Sequence, residues 1–229
     1  MSPFFYGVFI FLPYPLNKRR QTVYKQNLIL PNNKTVAIRV NPKCGKSTVA
    51  SIVCYPHRGK HKPIINPARE LERYGRVELT EEHEPDYRIA VVRDPVRRLC
   101  SAYLDRIVTK NRENLQKKIR SWSQFLAKLE RLQNTSRDIA IHTTPQVRRL
   151  GTDASVYDRV FTTEQLSTEF LEYLEQIGGC AIPPIKFNTT EHTLARYTPV
   201  TARDREYIRE LYDMDYRYWG SYFDGPVKK

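Results

Sequence analysis

Residues 36–48, VAIRVNPKCGKST, constrain the fold of this chain more than any other stretch. Val36, Ala37, Ile38 and Val40 read as a short buried strand. Asn41 and Pro42 break it, and a tight turn follows with Lys43, Cys44, Gly45, Lys46, Ser47 and Thr48. Residues 49–54 then read as the opening turns of a helix. Strand, tight loop and helix start together offer free backbone N–H groups and a positive dipole end, the geometry of a phosphate-type anion site. The nucleotide-triphosphate loop G-x-x-x-x-G-K-[ST] is matched only in its second half, by Gly45, Lys46 and Ser47. Its first glycine falls on Val40, and Pro42 sits inside the loop. A ligand-free turn rich in small residues would look the same, so a second site has to decide.

That second site lies at residues 87–103. Ile89, Ala90, Val91 and Val92 form a continuous apolar run, suited to a parallel strand buried on both faces. Asp94 is an N-cap, and Pro95 takes the first helical position. The helix that follows carries Leu99, Tyr103 and Ile107 on one stripe. Two strand–turn–helix units of this kind predict an α/β fold: one domain with a central, mostly parallel sheet flanked by helices. In a P-loop kinase such a strand ends in an aspartate that holds magnesium. Here Arg93 comes first. Ser101 stands eight residues after Arg93, about two turns into the helix. An arginine and a hydroxyl so placed make a pocket for another phosphate by charge-assisted hydrogen bonds. Two anion pockets on adjacent units suit a nucleotide with phosphate at both ends of its ribose.

The other elements are read from period and caps. Residues 27–30 and 36–40 form a hairpin. A short strand (63–66) and a short helix (67–74) lie in the polar stretch before the second unit. Ser121 and Gln124 form a capping box for a helix bearing Trp122, Phe125, Leu126, Leu129 and Leu132. A loop then carries Asp138, His142, Pro145 and Gln146. Residues 156–161 read as a strand, and Thr163 caps a helix with Leu166, Phe170, Leu174 and Ile177, ended by Gly178 and Gly179. The last helix starts near Thr201 and runs into aromatic residues Tyr216, Tyr218, Trp219, Tyr222 and Phe223. The expected division is an apolar and basic arm over residues 1–26 and one domain over 27–229.

Composition narrows the partners. The balance of 38 Lys and Arg against 25 Asp and Glu gives +13, which predicts an anionic partner. No nucleic-acid module signature accompanies it, so nucleic acid is not expected. Cys44, Cys54, Cys100 and Cys180 show no metal or redox spacing, and free thiols in a reducing compartment are expected. The apolar run at residues 3–16 is shorter than the ~20 residues of a membrane span. Its basic residues follow rather than precede it, unlike a signal peptide. It is expected to pack on the domain as an arm, with membrane-surface contact as the sharper alternative.

The ordered set of these features resembles the PAPS-dependent sulfotransferases, in the carbohydrate sulfotransferase branch. Pro42, Lys43, Gly45, Ser47 and Thr48 are similar to that family's 5′-phosphosulfate loop. Arg93, Asp94, Pro95, Arg98, Ser101, Ala102 and Tyr103 are similar to its 3′-phosphate motif. Further matches follow in order: His142, Pro145 and Gln146; Tyr157, Asp158, Glu164 and Leu166; Asn188 and Thr190; then Leu211, Tyr212, Asp215, Tyr216, Trp219 and Gly220. The resemblance runs over about residues 27–220.

The resemblance implies a P-loop-like fold and transfer of a sulfuryl group from PAPS to a hydroxyl of a carbohydrate or glycolipid, with PAP as product and no metal. It implies that Lys43 neutralises the bridging oxygen as it leaves. The N–H groups of Cys44, Gly45, Lys46, Ser47 and Thr48 would hold the 5′-phosphate, with the Ser47 and Thr48 hydroxyls. Arg93 and Ser101 would grip the 3′-phosphate. Lys46 departs from the small or hydroxyl residue commoner there. His142 is the first choice for the general base, since imidazole titrates near neutrality, with Glu70, Glu82 and His83 as rivals. Golgi members carry a membrane anchor that residues 3–16 do not match, so a cytoplasmic, bacterial-type enzyme is expected. Two other classes stay open at this point: a P-loop nucleotide kinase and a non-catalytic basic polyanion binder.

Overall fold

The computed structural model describes residues 25–30, 32–58, 84–178 and 198–223. The arm before residue 25, the strand and helix expected at 63–74, Glu70, Glu82, His83, Cys180, Asn188 and Thr190 lie outside the described residues.

Four strands form one sheet in the order β1-β2-β3-β4. They are β1 (Lys25–Ile29), β2 (Thr35–Val40), β3 (Tyr87–Val92) and β4 (Arg159–Thr162). β1 runs antiparallel to β2, as the expected hairpin. β2, β3 and β4 are parallel, with Ile38 opposite Ile89 and Val91 opposite Phe161. Period-two alternation splits the strands between two layers. Val36, Ile38, Val40, Ile89, Val91 and Phe161 face one core with Val49 and Ile52 of α1 (Lys46–Arg58) and Phe170 and Leu174 of α7 (Glu169–Gly178). Ala90 and Val92 face the other way, onto Leu150 and Trp219. Strands covered on both faces read as unbroken apolar runs, as residues 89–92 do.

A third apolar cluster lies among helices. It joins α2 (Pro95–Tyr103) to α3 (Trp122–Ala127), α4 (Leu129–Thr135) and α5 (Arg137–Thr143), with Ile208 of α8 (Ala202–Leu211). Tyr103, Trp122 and Phe125 stack there with ring centroids 5.2–5.8 Å apart. The short α6 (Val147–Leu150) and the closing α9 (Asp213–Phe223) complete the described helices. Trp219 of α9 is fully buried and its Nε1 donates to Gly151 O at 3.1 Å, so this aromatic of the C-terminal segment is core.

Several local expectations are corrected. The helix expected through Leu132 is broken at Lys128 into α3 and α4. Ser121 accepts from Gln124 N–H as expected, but the Gln124 side chain reaches Arg120 N–H instead of completing the box. The strand expected at 156–161 begins only at Arg159, because residues 154–156 form a 3₁₀ turn. Thr162, not Thr163, caps the next helical turn, its N–H donating to Gln165 Oε1 at 2.7 Å. That turn (Thr163–Ser167) is 3₁₀ and precedes α7. The region read as a loop around Asp138 and His142 is α5, capped by Ser136, whose hydroxyl accepts from Ile139 N–H. Past Tyr103 the helix widens into a π-turn over Leu104–Thr109.

Candidate active site

The anion loop joins β2 to α1. Lys43 and Gly45 both adopt left-handed backbone, with φ of 69° and 75°. The glycine is required twice over. A Cβ there would lie 2.3 Å from Leu166 Cδ1, and the positive φ itself disfavours side chains. Lys43 holds the same conformation without that exemption, a strain of order 1–2 kcal/mol that persists only where surroundings impose it. Val49 N–H makes the α1 ladder bond to Gly45 O at 2.9 Å. The N–H groups from Gly45 to Thr48 thus precede the ladder at the positive end of the helix.

The second motif meets this loop directly. Arg93, at the end of β3, donates from Nη1 to Lys43 O at 3.0 Å. Its Nε is buried without a partner among the described residues. Asp94 accepts from Arg97 N–H and caps α2, with Pro95 at the first turn, as expected. Ser101 is half-buried in the second turn of α2. Arg98, 1 % exposed, donates from Nε to Pro42 O at 3.1 Å and from Nη1 to Thr144 O at 2.8 Å.

Gln146 locks the two strand ends together. Its Oε1 accepts from Arg93 N–H at 3.0 Å and from the Cys44 thiol at 3.1 Å, while its Nε2 donates to Arg93 O at 2.8 Å. Asp215, fully buried, accepts from Gln146 N–H at 2.8 Å and from Val147 N–H at 2.9 Å. Sequence reading placed Arg98, Gln146 and Asp215 in motifs but gave them no task. Hydrophobic patterning gives no signal for Gln146 or Asp215, since Gln146 precedes α6 and Asp215 shares its helix with Trp219 as the other buried residue.

Lys43 Nζ bonds Asp105 Oδ2 at 2.9 Å. Burial pulls the Lys43 ammonium below its usual range, against the pull of Asp105. Burial alone would raise the Asp105 carboxyl, but Lys43, Lys110 and Arg106 hold it down to about 2. Lys46, at the start of α1, is brought to about 8 by burial, with Arg149 adding to the fall. Ser47 is exposed and Thr48 half-buried; the Ser47 carbonyl accepts from the Ser51 hydroxyl. Cys44 is fully buried, and burial pushes its thiol up to about 11, so it acts as packing and a weak donor.

His142 ends α5 on the same side. Its Nδ1 lies 2.7 Å from Asp138 O, and its Nε2 meets Arg106 Nη2. The first nitrogen therefore donates and the second accepts. Burial first, then Arg106, pushes the ring down to about 4. A histidine held neutral in the fold contributes stability fully above its ordinary value of 6.5 and loses it as pH falls through about 4. Urea midpoints are expected to fall between pH 7 and 4, and less steeply in His142→Gln. An equal fall in both proteins would assign the loss to other groups.

The loop, the Arg93 strand end and His142 thus come together within one network, although they are far apart in sequence. Against this geometry, a family model described as "Sulfotransferase family" matches residues 25–222. The chain belongs to the sulfotransferase family, of the family 2 type. Comparison with curated proteins and with solved structures gives no significant match. Membership in this sulfotransferase family assigns sulfuryl transfer to the domain and sets aside the nucleotide-kinase reading of the Gly45-Lys46-Ser47 half-motif. It accounts for Val40, which stands where an ATP loop would have glycine. Among the described residues, no three His, Cys, Asp or Glu side chains converge as a metal would need, and no helix is long and apolar enough to cross a membrane.

Proposed function

We propose that this sulfotransferase moves a sulfuryl group from PAPS to a hydroxyl of a carbohydrate or glycolipid. The observation that carries the donor assignment is the 3.0 Å bond from Arg93 to the Lys43 carbonyl, which brings the two anion motifs against each other. The distance between a 5′-phosphosulfate and a 3′-phosphate on one ribose demands such neighbours. The unpartnered Arg93 Nε supports a further anionic acceptor at that point.

In the proposed reaction the acceptor hydroxyl oxygen bonds to sulfur while the bond from sulfur to the bridging oxygen breaks, and PAP leaves. Negative charge grows on the departing phosphate. The Lys43 ammonium and the N–H groups from Gly45 to Thr48 stabilise it without reorganising. Arg93 and Ser101 bind the 3′-phosphate and so choose PAPS over ordinary adenine nucleotides. The acceptor proton passes to His142 Nε2, the ring nitrogen that meets Arg106 in this fold, and then to water. General-base help contributes typically about 10²–10⁴-fold for a base that titrates near the working pH, and a ring held at about 4 gives less of it. The net charge of +13 favours an anionic glycan as acceptor. A cytoplasmic setting belongs to the same proposal, with membrane-surface contact through the arm as the alternative to its packing on the domain.

The test is transfer from PAPS labelled in its sulfur to a panel of polysaccharides and glycolipids. Label is expected in a carbohydrate hydroxyl, with stoichiometric PAP. Label released only as inorganic sulfate across the panel would remove the carbohydrate acceptor.

A further inference from the structure

Three cations converge on one carboxylate beside the anion loop. Asp105 Oδ2 lies 2.9 Å from Lys43 Nζ and 3.2 Å from Arg106 Nε, and Asp105 Oδ1 lies 3.0 Å from Lys110 Nζ. The Arg106 Nε contact is an ion pair without hydrogen-bond alignment. The π-turn aims the carboxylate: Lys110 N–H closes on Asp105 O, five residues back, at 3.0 Å. Wide turns of this kind are rare and are frequent at functional sites. Leu104 and Ile107 supply the buried apolar contacts of the turn, so packing does not call for an acid at 105.

We propose that Asp105 is a positioning residue for sulfuryl transfer, holding the Lys43 side chain charged and aimed over the anion loop. The inference rests on the sulfotransferase reading and adds to it a residue that acts through Lys43. An ammonium has three donors. Lys43 can therefore keep one bond to Asp105 while it offers another to the departing oxygen. The groups acting on the Lys43 ammonium are Asp105, Arg106 and Lys110 from the π-turn and its end and His142 from α5, while Arg93 reaches the Lys43 carbonyl and Asp138 pairs with Arg106. With His142 neutral, Lys43, Arg106 and Lys110 share the one carboxylate of Asp105. Removing Asp105 leaves Lys43 partly buried among like charges, which favours the neutral amine. A neutral amine is a weaker donor to a developing anion.

The test is competitive acetylation of Lys43 against pH in the full chain, read by peptide mass, for wild type, Asp105→Asn and Asp105→Glu. Asp105→Asn is expected to lower the Lys43 midpoint by about 1–3 units, the usual effect of an adjacent opposite charge. The alkaline limb of kcat moves the same way, and kcat falls about tenfold or more at neutral pH while KM for PAPS does not rise. Asp105→Glu keeps the midpoint but lowers kcat, because the same charge holds the ammonium one methylene away. An unchanged midpoint in Asp105→Asn overturns the proposal. If that variant does not fold, Asp105→Glu with wild-type kcat overturns it. Labelling needs no sulfuryl transfer. Failure of the sulfotransferase reading therefore appears as inactive wild type, and failure of this inference appears only in the variants.

Discussion

Lys43→Ala eliminates measurable transfer from PAPS while the fold stays in place. The expected loss in kcat is at least about 10²–10³-fold, the scale of removing one preorganised donor from a developing oxyanion. Lys43 lies at φ 69°, and alanine there carries the same backbone strain, so the variant isolates the ammonium. Asp105 keeps Arg106 and Lys110 as partners, which limits the effect on stability. Melting temperature and turnover measured on the same preparation check the claim. Full activity in a folded Lys43→Ala protein would take the lysine out of the mechanism. The ATP-loop reading of the same window points instead to Lys46, so Lys46→Ala is the natural control and is expected to remain active.

The second large effect is on the frame. Asp215→Ala removes the carboxylate that accepts from Gln146 N–H and Val147 N–H in a fully buried setting. Each orphaned buried donor costs about 1–3 kcal/mol, so a loss of about 3 kcal/mol or more is expected in urea unfolding. Gln146 ties the Arg93 strand end to the Cys44 thiol, so loosening it also weakens PAP binding. A variant as stable as wild type would show that water or a shifted side chain replaces the carboxylate.

The parts of the molecule legible in the sequence are those set by local rules. The runs at residues 36–40 and 89–92 announce buried strands, Asp94-Pro95 announces a helix start, and Thr201 marks the start of a helix, where it forms a capping box with Asp204. The left-handed turn at Gly45 is legible from the glycine itself. What sequence reading misses depends on contacts across the chain. The Lys43–Asp105 bond spans 62 residues, and no local pattern marks a π-turn. Asp105 and Arg106 look like a solvated pair on an amphipathic helix. The seven residues of α5 read as loop because only Ile139 and Thr143 are buried, too few to set a period. Gln146 and Asp215 sit in the core as polar groups satisfied by each other, by the Cys44 thiol and by distant backbone, which hydrophobic patterning cannot reveal.

Selectivity for the 3′-phosphate distinguishes a PAPS site from any other anion site, and thermal stabilisation by PAP, ADP, ATP–Mg and DNA compared side by side measures it. A ligand that binds only the folded state raises the melting temperature by mass action. PAP is expected to stabilise far more than ADP or ATP–Mg, and DNA to act weakly and only at low salt. PAP stabilising no better than ADP would contradict the two-pocket site formed by Lys43, Arg93 and Ser101.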